Sequence, residues 1–71
     1  MIRVNLTKVM FDQQISLTKL AEEVNITQAK LSNLKNGKVK GLRFRTLAKI
    51  FQVLDCQPGD ILEYISENTE N

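Results

Sequence analysis

Apolar residues recur at three- and four-residue intervals along most of this chain, and each recurrence stops at a cluster of turn-forming residues. Leu6, Val9 and Met10 share one face of a helix predicted from Leu6 to Gln13, with Asn5 as its cap. Ahead of it, Ile2 and Val4 alternate with polar neighbours, so Met1 to Asn5 carries the alternative of a short strand. Leu20, Ala21 and Val24 mark a second helix, with Ser16 as its cap and Ile15 before it in the position of a hydrophobic staple. Leu31 and Leu34 mark a third, from Gln28 to about Leu34. A fourth, near Thr46 to Leu54, puts Leu47, Ile50, Phe51 and Leu54 on one face, joined by Phe44 from the preceding loop. Pro58 suits the first position of a fifth helix, and Asp60 lies where a negative charge favours the helix's positive end. Ile61, Leu62 and Ile65 are expected to close the core, and residues 66–71 to fray. The pattern predicts an all-α domain of five helices spanning residues 1–71.

The most informative stretch is Leu17 to Gly37, LTKLAEEVNITQAKLSNLKNG. Two helices crossing steeply over a short turn need a small residue where their backbones meet, and Ala21 supplies it. Asn25 suits a left-handed turn position. Thr27 can accept from the free amides of the next helix's first turn. Gly37, after Asn36, is the expected stop, and Lys38 to Arg43 forms a basic loop with Gly41 as its flexible point. With Leu31 and Leu34 turned to the core, Gln28, Ala29, Ser32 and Asn33 fall on the outer side, flanked by Lys30 and Lys35.

The segment resembles the helix-turn-helix of the phage Cro and repressor family (Cro/CI, or XRE-type, regulators). The resemblance rests on Leu20-Ala21, Val24, Ile26, Thr27-Gln28, Leu31, Leu34 and Asn36-Gly37-Lys38. It continues through Leu42-Arg43-Phe44 and Thr46 to Leu54 into Cys56-Gln57-Pro58-Gly59-Asp60-Ile61-Leu62, as in a subgroup of very small bacterial regulators. It covers about five-sixths of the chain. It implies a lambda-repressor-like fold that places the third helix in a DNA major groove. The positions matching Gln28, Ala29 and Asn33 read bases in the relatives, and Lys30 and Ser32 are open to bases or phosphates. Those matching Asn36 and Lys38 hold the backbone, and the one matching Arg43 can approach the minor groove, whose narrowing attracts guanidinium. Many relatives carry Gln at the position of Leu17, where its amide anchors a phosphate. Leu17 cannot do this, so Ser16, Lys19 or a main-chain amide must replace it. An exposed Leu17 would also be open to a partner protein.

Charge sharpens this picture. All ten Lys and Arg lie between Met1 and Leu54 against three acids, while Asp55 to Asn71 holds five acids and no base. Lys30, Lys35, Lys38, Lys40, Arg43, Arg45 and Lys49 form a stretch without one acid, coincident with the proposed reading helix and its loop. Such a strip suits phosphate contact, with Thr27, Lys35, Lys40 and Arg45 as further backbone candidates beside Ser16, Lys19, Asn36, Lys38 and Arg43.

Composition narrows the rest. A chain of 71 residues has room for one small core and little for a catalytic cleft. With no histidine and one cysteine, it offers no multi-cysteine metal site and no obvious general base. Cys56 reads as a small core residue rather than a redox sensor, and Tyr64 as an aromatic at the core edge. Adjacent Glu22 and Glu23 diverge on a helix and are surface charges. No apolar run is long enough to span a bilayer, and the first residues lack the features of a secretory signal. The expectation is a cytoplasmic, cofactor-free regulator binding a double-stranded DNA operator as a homodimer, with the acidic C-terminal helix as dimer contact. The competing expectation is a protein-interaction module, such as an antitoxin or anti-regulator, that uses the same fold to hold another protein.

Overall fold

The computed structural model describes residues 1–67 of the chain. In order they form β1 (Ile2–Val4), α1 (Leu6–Gln13), α2 (Leu17–Val24), α3 (Gln28–Lys35), α4 (Phe44–Leu54), α5 (Pro58–Ile61) and β2 (Leu62–Tyr64). α2 packs on both α3 and α4, and α1 rests on α4 and α5. Leu6, Met10, Leu20, Ala21, Val24, Leu31, Leu34, Ile50, Leu54 and Ile61 form the core, and among the described residues no polar side chain is buried with them. Burying a side chain of this size contributes roughly 1.5–3 kcal/mol, a sizeable fraction of the roughly 5–15 kcal/mol by which a folded domain is stable.

Local chemistry starts the two central helices. The Ser16 hydroxyl oxygen accepts from the Lys19 amide at 3.0 Å, and that of Thr27 accepts from the Lys30 amide at 3.1 Å. At α5 the Asp60 carboxylate accepts from the Gln57 amide at 2.8 Å, completing a capping box with Pro58 in the first turn.

Four helices end the same way. Gln14, Asn25, Gly37 and Asp55 all have left-handed backbones, with φ of 57°, 66°, 71° and 50°. In each case the amide of the next residue reaches five positions back: Ile15 to Met10, Ile26 to Ala21, Lys38 to Asn33 and Cys56 to Phe51. These 6→1 bonds close the open carbonyls of the last turn. The residue after the left-handed position packs half-buried against the core at Ile15, Ile26 and Cys56. After α3 it is Lys38, which is exposed.

Several expectations need correction. The protein is not all-α, because β1 and β2 form an antiparallel ribbon pairing Ile2 with Tyr64, Arg3 with Glu63 and Val4 with Leu62. The strand alternative for the N-terminus is therefore the observed one. The fifth helix is a single turn, since the chain leaves Ile61 extended to pair with β1. Asn5 does not cap α1; its side-chain amide donates to Glu63 Oε1 at 3.2 Å, drawn there by the ribbon. α4 begins at Phe44 rather than Thr46, because Arg43 is already extended in the manner of an N-cap. Phe44 is consequently the first residue of the helix, beyond the packed neighbours, and 86% exposed. Leu47 is only half-buried, as is Ile65, whose backbone pairs with Met1 instead of continuing a helix. Tyr64 stands out at 71% exposure, not at the core edge. Of the expected frayed tail, Glu67 lies 3.4 Å from the N-terminal ammonium and residues 68–71 lie outside the described residues.

Candidate nucleic-acid interface

α3 turns two buried residues inward, Leu31 and Leu34, and packs on α2. The first turn and the positions between the core residues remain for the outer face. Gln28, Ala29, Lys30 and Asn33 are exposed there, while Ser32 and Lys35 are half-buried at its margins. Side-chain amides at Gln28 and Asn33 each carry a donor and an acceptor, the pattern that matches the major-groove edge of adenine. Nothing in α3 is acidic, and the only basic residue of its last turn is Lys35.

The loop after α3 folds back beside it. An open groove of about 530 Å³ is lined by Lys30 and Asn33 from α3 and by Lys38, Lys40 and Arg43 from the loop, with Asn25 and Thr46 at its sides. Three features of the chain create it. Gly37 in the left-handed region reverses the chain, the amide of Lys38 is tied to Asn33 O at 2.8 Å, and the half-buried Leu42 returns the loop to the core. Among the described residues, none of these four cations is in an ion pair within 4 Å of a carboxylate. Unpaired cations beside a polar helix face form a region of positive potential suited to an anionic polymer.

The remaining candidates are distributed differently. Thr27 Oγ1 is occupied as an acceptor by the Lys30 amide, which leaves its proton free to donate, and the same holds for Ser16. Lys19 pairs with Glu23 at 3.2 Å along α2. Asn36 is exposed at the end of α3. Arg45 is not grouped with Arg43: it lines a second groove with Glu23, Lys49 and Gln52, which shares Asn25, Ile26 and Thr46 with the first. Asn25 and Thr46 are groove residues that the sequence assigned other tasks. Their proximity to α3 depends on how the loop closes, and no local pattern signals it.

Two further features reduce alternatives. Leu17 is half-buried against the core, so it does not offer the exposed contact that an interaction module was expected to use. Burial, with the Asp60 and Asp55 carboxylates adding to it, pushes the Cys56 thiol above its ordinary value, which disfavours the reactive thiolate. Among the described residues no helix is long and apolar enough to cross a membrane, and no group of metal-binding side chains is found.

Comparison with known proteins bears on this surface. Residues 5–67 match the Cro/C1-type HTH DNA-binding domain. The chain is 50% identical over 66 residues to an uncharacterised HTH-type transcriptional regulator, YozG of Bacillus subtilis strain 168, covering 93% of this chain and 79% of that one. It is also similar to the crystal structure of the transcriptional regulator VanUg. There the TM-score is 0.74 and the identity 28%, over 93% of this chain and 87% of the other.

Proposed function

The chain belongs to the Cro/C1-type family of helix-turn-helix DNA-binding transcriptional regulators, and from that premise we propose how it reads DNA. α3 enters the major groove. Gln28 and Asn33 make paired hydrogen bonds to base edges, Ala29 gives room or meets a thymine methyl, and Lys30 and Ser32 reach bases or the adjoining phosphates. Lys38, Lys40 and Arg43 hold the flanking backbone, with Arg43 towards the minor groove. Ser16, Lys19, Thr27, Lys35, Asn36 and Arg45 supply further backbone contacts. One copy covers few base pairs, so the protein acts as a homodimer on a palindromic operator, its two α3 helices about 34 Å apart. By occupying that operator it acts as a cytoplasmic repressor.

The observation that carries this reading is the exposure of Gln28 and Asn33 on the same helix whose end delivers the cationic groove. Selection of bound duplexes from a random pool tests it, followed by the same selection with Gln28→Ala and Asn33→Ala. Each variant is expected to lose preference at one or two base pairs, roughly 1–3 kcal/mol of discrimination, while non-specific binding survives. Full discrimination retained by both variants removes α3 as the reading element.

A further inference from the structure

α4 has a second side. Ile50 and Leu54 are buried on its inner face, whereas Arg45, Ala48, Lys49 and Gln52 are exposed on the stripe away from the core. These four recur at helical spacing, so they form one ridge two turns long, about 10 Å. α4 carries no acid. Among the described residues, neither Arg45 nor Lys49 is in an ion pair within 4 Å of a carboxylate.

The ridge is one wall of an open groove of about 640 Å³, whose other wall is the end of α2 and the turn after it. Glu23 stands on that far wall, already paired with Lys19 at 3.2 Å. Between the walls, the half-buried Ile26 and the exposed methyl of Ala48 give an apolar patch. The groove meets the cationic one over Asn25, Ile26 and Thr46, yet no residue of α3 lines it.

We propose that this groove docks an acidic amphipathic helix of a partner protein, with two acids one turn apart pairing with Arg45 and Lys49. Three features select that occupant. The two cations are four residues apart, the interval at which acids recur along one edge of a helix. Ala48 lies between them, and a small side chain there lets a second helix come close. Glu23 decides against nucleic acid. A phosphate backbone is charged along its whole length and meets that carboxylate, whereas a helix with acids on one edge turns another edge to it. Apolar residues of the same helix then cover Ile26 and Ala48. A contact two turns long is small and belongs with transient interfaces. The inference goes beyond the DNA reading; Arg45 serves both and is left intact in the test.

Amide chemical-shift mapping of the full chain tests the docking. The probe is a helical peptide of about 16 residues, long enough to hold its fold, with a Leu stripe edged by Glu at four-residue intervals. One control permutes the same residues to break the stripe, and another carries Lys for each Glu. The acidic-stripe peptide is expected to shift the amides of residues 23–26 and 45–52, leaving Gln28 and Asn33 in place. Lys49→Glu should weaken it about fivefold or more. Ala48→Trp, which fills the groove without changing charge, should abolish saturable binding while DNA affinity persists. Both positions are exposed, so both variants should melt with the wild type. Absent binding, equal binding of the permuted peptide, or an Ala48→Trp variant that binds normally each overturns the proposal. A DNA duplex that shifts Ala48 and Lys49 as strongly as Asn33 overturns it too, and gives the groove to nucleic acid. Failure of the duplex to bind at all would instead count against the DNA reading.

Discussion

α2 and α3 are near twins in construction and opposites in use. Each has eight residues, a hydroxyl cap that accepts from the third amide, and a left-handed residue where it ends. α2 commits Leu20, Ala21 and Val24 to the core and is followed by Ile26, which packs there too. α3 commits only Leu31 and Leu34, and the corresponding residue after its end is the exposed Lys38. The difference shows that one helix can be held by its neighbour's packing and two leucines. The rest of its surface, and the chain leaving it, are then free to carry amides and cations.

The largest test removes the anchor. Leu31→Ala empties a fully buried site and is expected to cost about 2–5 kcal/mol of stability. Chemical denaturation measures it, and a loss under about 1 kcal/mol would show that α3 does not depend on this contact. A smaller test separates the twins at their caps. Ser16→Ala and Thr27→Ala should each lower stability by about 1 kcal/mol. If the Ser16 and Thr27 hydroxyls also donate to phosphates as proposed, each variant should bind DNA more weakly than a stability-matched control. Affinity equal to that control would restrict the hydroxyl concerned to capping. The smallest effect comes from making the end of α3 resemble that of α2. Lys38→Ile should leave folding nearly unchanged, while the slope of log affinity against log salt becomes shallower by about 0.9 for the lost phosphate contact. An unaltered slope would place Lys38 outside the interface.

Much of the reading face was legible because its causes are local. Ser16 and Thr27 cap the amides three residues on, and Asn25 and Gly37 take left-handed turns that their residue types favour. Leu31 and Leu34, one turn apart, fix which side of α3 faces inward, and hence the exposure of Gln28 and Asn33. Where residue type was a weak guide, the sequence was silent or misled. Gln14 and Asp55 adopt the same left-handed ends without glycine, held by the 6→1 bond and by the burial of Ile15 and Cys56 behind them. Phe44 looked like a core residue from its apolarity alone, but its place at the start of α4 carries it past the packed layer.

What the chain determined by itself, then, is the set of helices, the hydroxyl caps of α2 and α3 and the inward side of these two, since these follow from residues within one or two turns of one another. Only the tertiary structure decided that Ile2 meets Tyr64 across nearly the whole chain, that Asn5 turns from its helix to Glu63, and that Lys38, Lys40 and Arg43 gather beside Asn33. Alternation over three residues offers a strand at Ile2 and Val4 only as an alternative, and its hydrogen bonds are satisfied by a partner that no local window contains.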